Sequence, residues 1–163
     1  MVPTAHAAAI AALRALGVAP DAYGPNVNTA RSPRDVDAIA EGLAHEVGAR
    51  SAAQPQALAI WDTSDEAVLA HAVARRLGIG VLRAFEVEGR LGLDRDLEPG
   101  MPVALLATQW DSRRLTSLRK LVSNRGGQTI AVTAALGSPA LAEVRDVPTA
   151  ALVTTDEAEA FFS

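Results

Sequence analysis

No cysteine occurs among the 163 residues, which excludes disulfides, thiolate catalysis and cysteine-ligated zinc. Aromatic residues make up only 4%, so a core must be built from Ala, Val, Leu and Ile. Lys120 is the single lysine among 15 basic residues, so arginine carries nearly all the positive charge and lysine chemistry has one place at most. A formal net charge of −4 removes the basic surface expected of a nucleic-acid or anionic-membrane binder. No apolar run approaches the ~18 residues that a membrane-crossing helix needs. Met1–Ala15 lacks a basic start followed by a continuous apolar stretch, so no signal peptide is read and the cytoplasm is the expected location. Linkers, repeats and low-complexity tracts are missing too, and the length predicts one domain over 1–163.

What is present has globular proportions: 49% hydrophobic and 21% charged residues. A mean hydropathy of +0.15 with so few aromatics leaves alanine- and leucine-rich surface to cover, which predicts a homodimer. Residues 1–50 read as a helical part. Thr4–Leu16 has Ile10, Leu13 and Leu16 at helical spacing, and Gly24-Pro25-Asn26-Val27-Asn28 reads as a loop. Ser32-Pro33 opens a second helix with a Val36, Ile39, Leu43, Val47 stripe that Gly48 ends. From Ala57 strands and helices alternate. Ala57–Trp61, Val81–Val87, Val103–Ala107 and Thr129–Ala134 read as strands, with Ala150–Val153 as a last short one. Glu66–Leu77, with Val68, Leu69, Ala72, Val73 and Leu77 inward, and Ser112–Val122 read as helices. Glu88–Leu97 reads as a hairpin or a mobile loop. Such alternation predicts an α/β core over 57–135: a central, mostly parallel sheet with helices on both faces. Ligands of such sheets bind past the carboxyl ends of the strands, here the loops Asp62–Asp65, Arg83–Asp94 and Thr108–Arg114.

The stretch Pro99-Gly100-Met101-Pro102-Val103-Ala104-Leu105-Leu106-Ala107-Thr108, followed by a helix and Gly126-Gly127-Gln128-Thr129-Ile130, resembles type I phosphoribosyltransferases, nearest the orotate phosphoribosyltransferase branch. The spacing from Gly100 to Gly127 is ungapped against that layout. Ala57–Gly80 resembles the family's strand, pyrophosphate loop and helix, and Val81-Leu82-Arg83 its strand into a flexible catalytic loop. The likeness runs from about Ala57 to about Ala135 and implies the family's fold. In the family two carboxylates after the buried strand hold ribose hydroxyls, and a Thr-Thr-Gly turn presents amides to the 5′-phosphate at a helix N-terminus. Ala107 and Thr108 stand at the acidic positions, and Asp111-Ser112-Arg113 at the phosphate turn. Hydrogen bonds to charged groups contribute about 1.5–3 kcal/mol each, so this replacement removes several kcal/mol of ribose binding. The pyrophosphate loop Trp61-Asp62-Thr63-Ser64-Asp65-Glu66 has three acids and no glycine. Arg83 matches a family arginine, and Ala84 stands where a lysine is expected.

Each candidate has a plainer structural reading. Asp62, Asp65 and Glu66 could hold a divalent cation, or Thr63 or Ser64 caps the helix and the acids favour its positive end. Arg113 and Arg114 could bind an anion with Ser112, or form a solvated helix face; Asp111 opposes that anion, or caps the helix in its place. Arg119 and Arg125 are expected to pair with surface carboxylates. Trp61 and Trp110 either fill a vacated nucleotide cleft or stack on a flat ligand. His6, His45 and His71 lack metal-ligand spacing. The expected function is therefore a non-catalytic ligand-binding or assembly module. Its candidate cleft is formed by Asp62, Thr63, Ser64, Arg83, Thr108, Trp110, Asp111, Ser112, Arg113 and Arg114, open to a small phosphorylated ligand. The alternative is a still-active phosphoribosyltransferase, or another phosphosugar or nucleotide enzyme. Magnesium and phosphoribosyl pyrophosphate enter only under that alternative.

Overall fold

The structure, a computed structural model, describes residues 4–162. Thr4 caps α1 (Ala5–Leu16), whose Ala9, Ala12, Leu13 and Leu16 are buried. Where a loop and a wholly helical start are expected, the chain instead forms a two-stranded hairpin of β1 (Val18–Asp21) and β2 (Gly24–Val27), with Val18 opposite Val27. Pro20 and Pro25 face one another there. Prolines are tolerated in such a ribbon because each strand has a free edge for the missing donor. Ser32 then caps α2 (Pro33–Arg50), which runs past Gly48.

The remaining strands are β3 (Ala57–Trp61), β4 (Gly80–Val87), β5 (Arg90–Leu93), β6 (Pro102–Gln109), β7 (Gln128–Leu136) and β8 (Thr149–Val153). They form one sheet in the order β5-β4-β3-β6-β7-β8, parallel except for the β4–β5 pair. Glu88 and Gly89 both take positive φ (52° and 75°), the conformation a tight two-residue hairpin turn requires, so 88–93 is a hairpin. The helices α3 (Ser64–Leu77), α4 (Ser112–Asn124), α5 (Pro139–Ala142) and α6 (Thr155–Ala158) complete the α/β fold. Among the described residues no helix is long and apolar enough to cross a membrane.

Side-chain alternation along β3 and β6 divides the core. Leu58, Ile60, Ala104 and Leu106 face α1, α2 and α3, whereas Ala57, Ala59, Val103, Leu105 and Ala107 pack with Leu115, Leu118 and Val122 of α4. Val68 departs from the expected inward stripe: it is 47% exposed, because Leu69, Ala70 and Val73 already occupy the buried face of α3. β6 continues through Thr108, so Ala107 and Thr108 both lie inside a strand. The chain moves from β3 through α3 to β4 on one side, then enters β6 on the other. The topological switch point is therefore the crevice at the carboxyl ends of β3 and β6.

The contact between α1 and α2 depends on Gly42. A Cβ there would lie 2.6 Å from the Cβ of Ala9 and 3.2 Å from Leu152 Cδ2. Gly42→Ala is expected to lower the unfolding free energy by about 1–3 kcal/mol, as overpacking does, read as a shifted urea midpoint. An unchanged midpoint would mean that the helices separate freely.

Candidate functional site

Three groups of side chains converge at the switch point, and the hairpin roofs them. The first lies inside. Thr63 caps α3 by accepting the Glu66 N–H (3.1 Å), which starts the helix directly after β3. Glu66 falls in register with Leu69, Ala70 and Val73 and points inward, where it is 6% exposed. Thr108 donates its N–H to both Glu66 oxygens (3.2 and 3.0 Å) and its O–H to Glu66 Oε1. The same Thr108 hydroxyl accepts the N–H of Val27 at 3.2 Å, tying β2 to β6. Desolvation pushes the Glu66 carboxyl up to about 7, against the lowering effect of the two Thr108 bonds, and the nearby carboxylates Asp65 and Asp21 push the same way as burial.

The second group is an aromatic and guanidinium stack. Tyr23, at the hairpin tip, stacks on Trp61 with ring centroids 5.2 Å apart. Arg114 lies over both rings, 4.6 Å from the Tyr23 centroid and 5.3 Å from that of Trp61. Its guanidinium also approaches Glu86 (3.7 Å) and the Ala22 carbonyl (3.5 Å). Trp61 donates its indole N–H to the Arg114 carbonyl (3.1 Å), and Tyr23 Oη accepts the Glu86 N–H (3.3 Å).

The third group lines an open cleft of about 440 Å³ bounded by Asp21, Tyr23, Asp62, Thr63, Ser64 and Arg83. Arg83 is drawn to one side by Asp94, which accepts its Nε–H at 3.1 Å and its backbone N–H at 2.9 Å. That pairing raises the guanidinium's pKa further.

The ten sequence-derived residues therefore fall into separate places. Asp62, Thr63, Ser64 and Arg83 share the cleft. Thr108 is buried beneath the hairpin, and Arg114 clamps the hairpin tip. Trp110 is buried in the α4 layer with its indole N–H on the Thr133 carbonyl (2.9 Å). Asp111 caps α4 by accepting the Arg114 N–H (2.8 Å), and Ser112 and Arg113 are exposed beside it. Ser112 lines a different depression, with Arg119 and Asp146, which are paired to each other at 3.0 Å. The three acids that follow β3 also diverge: Asp62 to the cleft, Asp65 to the N–H and O–H of Thr29, and Glu66 to Thr108. Among the described residues no group of three or more His, Cys, Asp or Glu is disposed to hold a metal ion. Tyr23, Asn26, Val27 and Glu86 were not singled out from the sequence. From the sequence Glu66 reads as a cation-holding acid or as a charge favouring the positive helix end, although its helical register with Leu69, Ala70 and Val73 is a legible sign of burial.

No family profile matches the chain, and no curated protein sequence does. Solved structures do match. A phosphoribosyltransferase from Corynebacterium diphtheriae is 13% identical with a TM-score of 0.72, covering 95% of this chain and 98% of that one. Adenine phosphoribosyltransferase from Leishmania donovani is 14% identical with a TM-score of 0.70, over 96% and 83% of the two chains. Orotate phosphoribosyltransferase from Mycobacterium tuberculosis is 11% identical with a TM-score of 0.68, over 98% and 93%. The chain therefore has the type I phosphoribosyltransferase fold, and at these identities the likeness extends to the fold alone.

Thr108 links Glu66 to the hairpin through one hydroxyl. Thr108→Val keeps the shape but leaves the Val27 N–H without that acceptor and the carboxyl with one donor fewer. The variant is expected to lose about 1–3 kcal/mol of stability, the cost of orphaned buried polar groups, in chemical denaturation. A loss too small to measure would mean that water replaces the hydroxyl freely.

Proposed function

We propose that this chain is a non-catalytic protein of the phosphoribosyltransferase fold, a ligand-binding or assembly module whose switch-point crevice is occupied by its own side chains. One observation carries the reading: Thr108, at an acidic position of the family's motif, is sealed under the hairpin by Glu66 and Val27. A ribose held at the end of β6 needs carboxylates that face the crevice. Ala107 offers none, and the Glu66 carboxylate faces inward onto Thr108. At the phosphate turn, Asp111 takes a helix N–H and sets a negative charge where a phosphate would otherwise meet the helix end. In the cleft, Asp21 and Asp62 oppose a diphosphate, and Arg83 is already paired. These residues do not fit magnesium-bound phosphoribosyl pyrophosphate.

The test is calorimetric titration and thermal melting with phosphoribosyl pyrophosphate and magnesium. A ligand that binds only the native state, at 100 times its Kd, stabilises by about 2.7 kcal/mol, a shift visible in a melt. No saturable shift is expected. A saturable shift with a micromolar midpoint would overturn the occupied crevice, and turnover of the bound compound would then establish the alternative, a still-active transferase or related phosphosugar or nucleotide enzyme. The open cleft with Thr63, Ser64 and Arg83 is the feature that favours that alternative.

The same reading takes the protein to be a cytoplasmic homodimer. Its apolar surplus, with Val87 and Leu91 exposed on the outer β4–β5 ribbon, supports self-association. Sedimentation at low micromolar concentration is expected to give twice the chain mass of 16.9 kDa. A species of single-chain mass would reject the dimer.

A further inference from the structure

We propose that the outer edge of β8 is a self-complementary docking strand, on which a second copy of this chain lays its own β8 antiparallel about a two-fold axis at Ala151. The inference rests on the homodimer of the proposed function and says where its interface lies.

β8 is the last strand in the sheet order, so among the described residues its far side pairs with no other strand. The Val132 N–H donates to the Pro148 carbonyl (3.0 Å), with Val132 opposite Thr149 and Ala134 opposite Ala151. In a parallel ladder that arrangement turns alternate backbone groups toward β7, and the N–H and C=O of Thr149 and Ala151 the other way. An open groove of about 280 Å³ follows this edge, lined by Thr149 and Ala151, by Leu141 and Ala142 of α5, and by Arg50 of α2. Exposed edges are ordinarily blunted by charge, proline or a bulge. β5, at the opposite edge of the sheet, carries Arg90, whereas β8 reads Thr-Ala-Ala-Leu-Val, with no charge, proline or glycine. Such an edge is a template for one more strand.

Charge selects the occupant. Gly42 of α2 lies against Leu152, and α2 runs eight residues further, to Arg50 beside Thr149. Asp156 and Glu157 follow β8 at its other end, both exposed. The edge is thus positive where β8 begins, neutral along it and negative where it ends. In an antiparallel pair centred on Ala151, Thr149 stands opposite Val153 of the second copy. Each Arg50 then comes alongside the Asp156 and Glu157 of the other chain, and the contact is made twice. A parallel copy would set like charges together. Arg50 holds Glu46 through its Nε at 3.1 Å, which leaves the terminal nitrogens of the guanidinium for a carboxylate across the axis. At the axis each Ala151 exchanges its N–H and C=O with its counterpart, so the two six-stranded sheets join into one.

The chain contains no cysteine, so Ala151→Cys introduces the only thiol. Residues paired at the axis have Cα atoms about 5.5 Å apart, within disulfide reach. Mild oxidation at low micromolar concentration is expected to link this variant into a covalent dimer, whereas Leu91→Cys on the β5 edge stays at single-chain mass. Charge exchange tests the same contact at exposed positions that leave the core intact. Arg50→Glu alone, and Asp156→Arg with Glu157→Arg, should each raise the dimer dissociation constant about tenfold in sedimentation, and the three changes together should restore it. A dimer that does not cross-link at 151, or whose dissociation constant ignores both charge reversals, overturns the β8 interface and leaves the homodimer standing. A species of single-chain mass for the unmodified protein overturns both.

Discussion

β3 and β6 pair in register only as far as Ala59 and Leu105, and beyond that point the two strands diverge to open the crevice. The backbone N–H of Thr108 lies past the last pair, in the buried end of β6, where an unmet donor would cost about as much as a lost hydrogen bond. Glu66 meets it. Because Thr63 begins α3 three residues earlier, the helix start and the strand end are fastened together through one carboxyl. The Val27 N–H of the hairpin then donates to a lone pair of the Thr108 hydroxyl. Strand divergence, helix entry and roof thus share a single buried polar contact.

Burying that carboxyl is unfavourable on its own, and the protein holds it without a cation. The cost is offset by what surrounds it: Val27, Leu69, Ala70 and Leu106 are all fully buried around the α1–α3 face of the sheet. The hairpin buries Val27 and stacks Tyr23 on Trp61, so an apolar gain accompanies the polar cost in one contact.

The sheet was legible from β3 onward because strands buried on both faces read as continuous apolar runs, and the glycine-punctuated helices between them carry a 3.6-residue stripe. The hairpin was not, since Gly24, Pro25 and Asn26 are loop formers and only tertiary contact with Thr108 and Trp61 makes them a strand. The site was half legible. Asp62, Thr63, Ser64 and Arg83 stand together because adjacent parallel strands end there, which follows from topology. Trp110 stands at a strand end, which points to the cleft, but a one-residue step decides which side of the sheet a ring takes, and the ring packs in the α4 layer. Glu66 carries two signals, an acid in a first helical turn and a place on the buried stripe, and the second decides where its side chain lies. The Tyr23, Trp61 and Arg114 stack joins residues far apart in the chain, and no local spacing announces it.

Arginine at 114 is a chemical requirement of that stack. The guanidinium is planar, so one group can lie over the Tyr23 and Trp61 rings while its N–H edge reaches the Ala22 carbonyl and Glu86. An ammonium is a compact, strongly hydrated point charge and could satisfy the acceptors or the ring faces, with less of both. Arg114 also lies in the first turn of α4, with its own N–H taken by Asp111 and its carbonyl by Trp61. The helix start that could have met an anion is therefore committed at three points: its amide to a carboxylate, its carbonyl to an indole and its side chain to the roof. With this residue in this place, the hairpin and the sheet share an internal contact at the switch point.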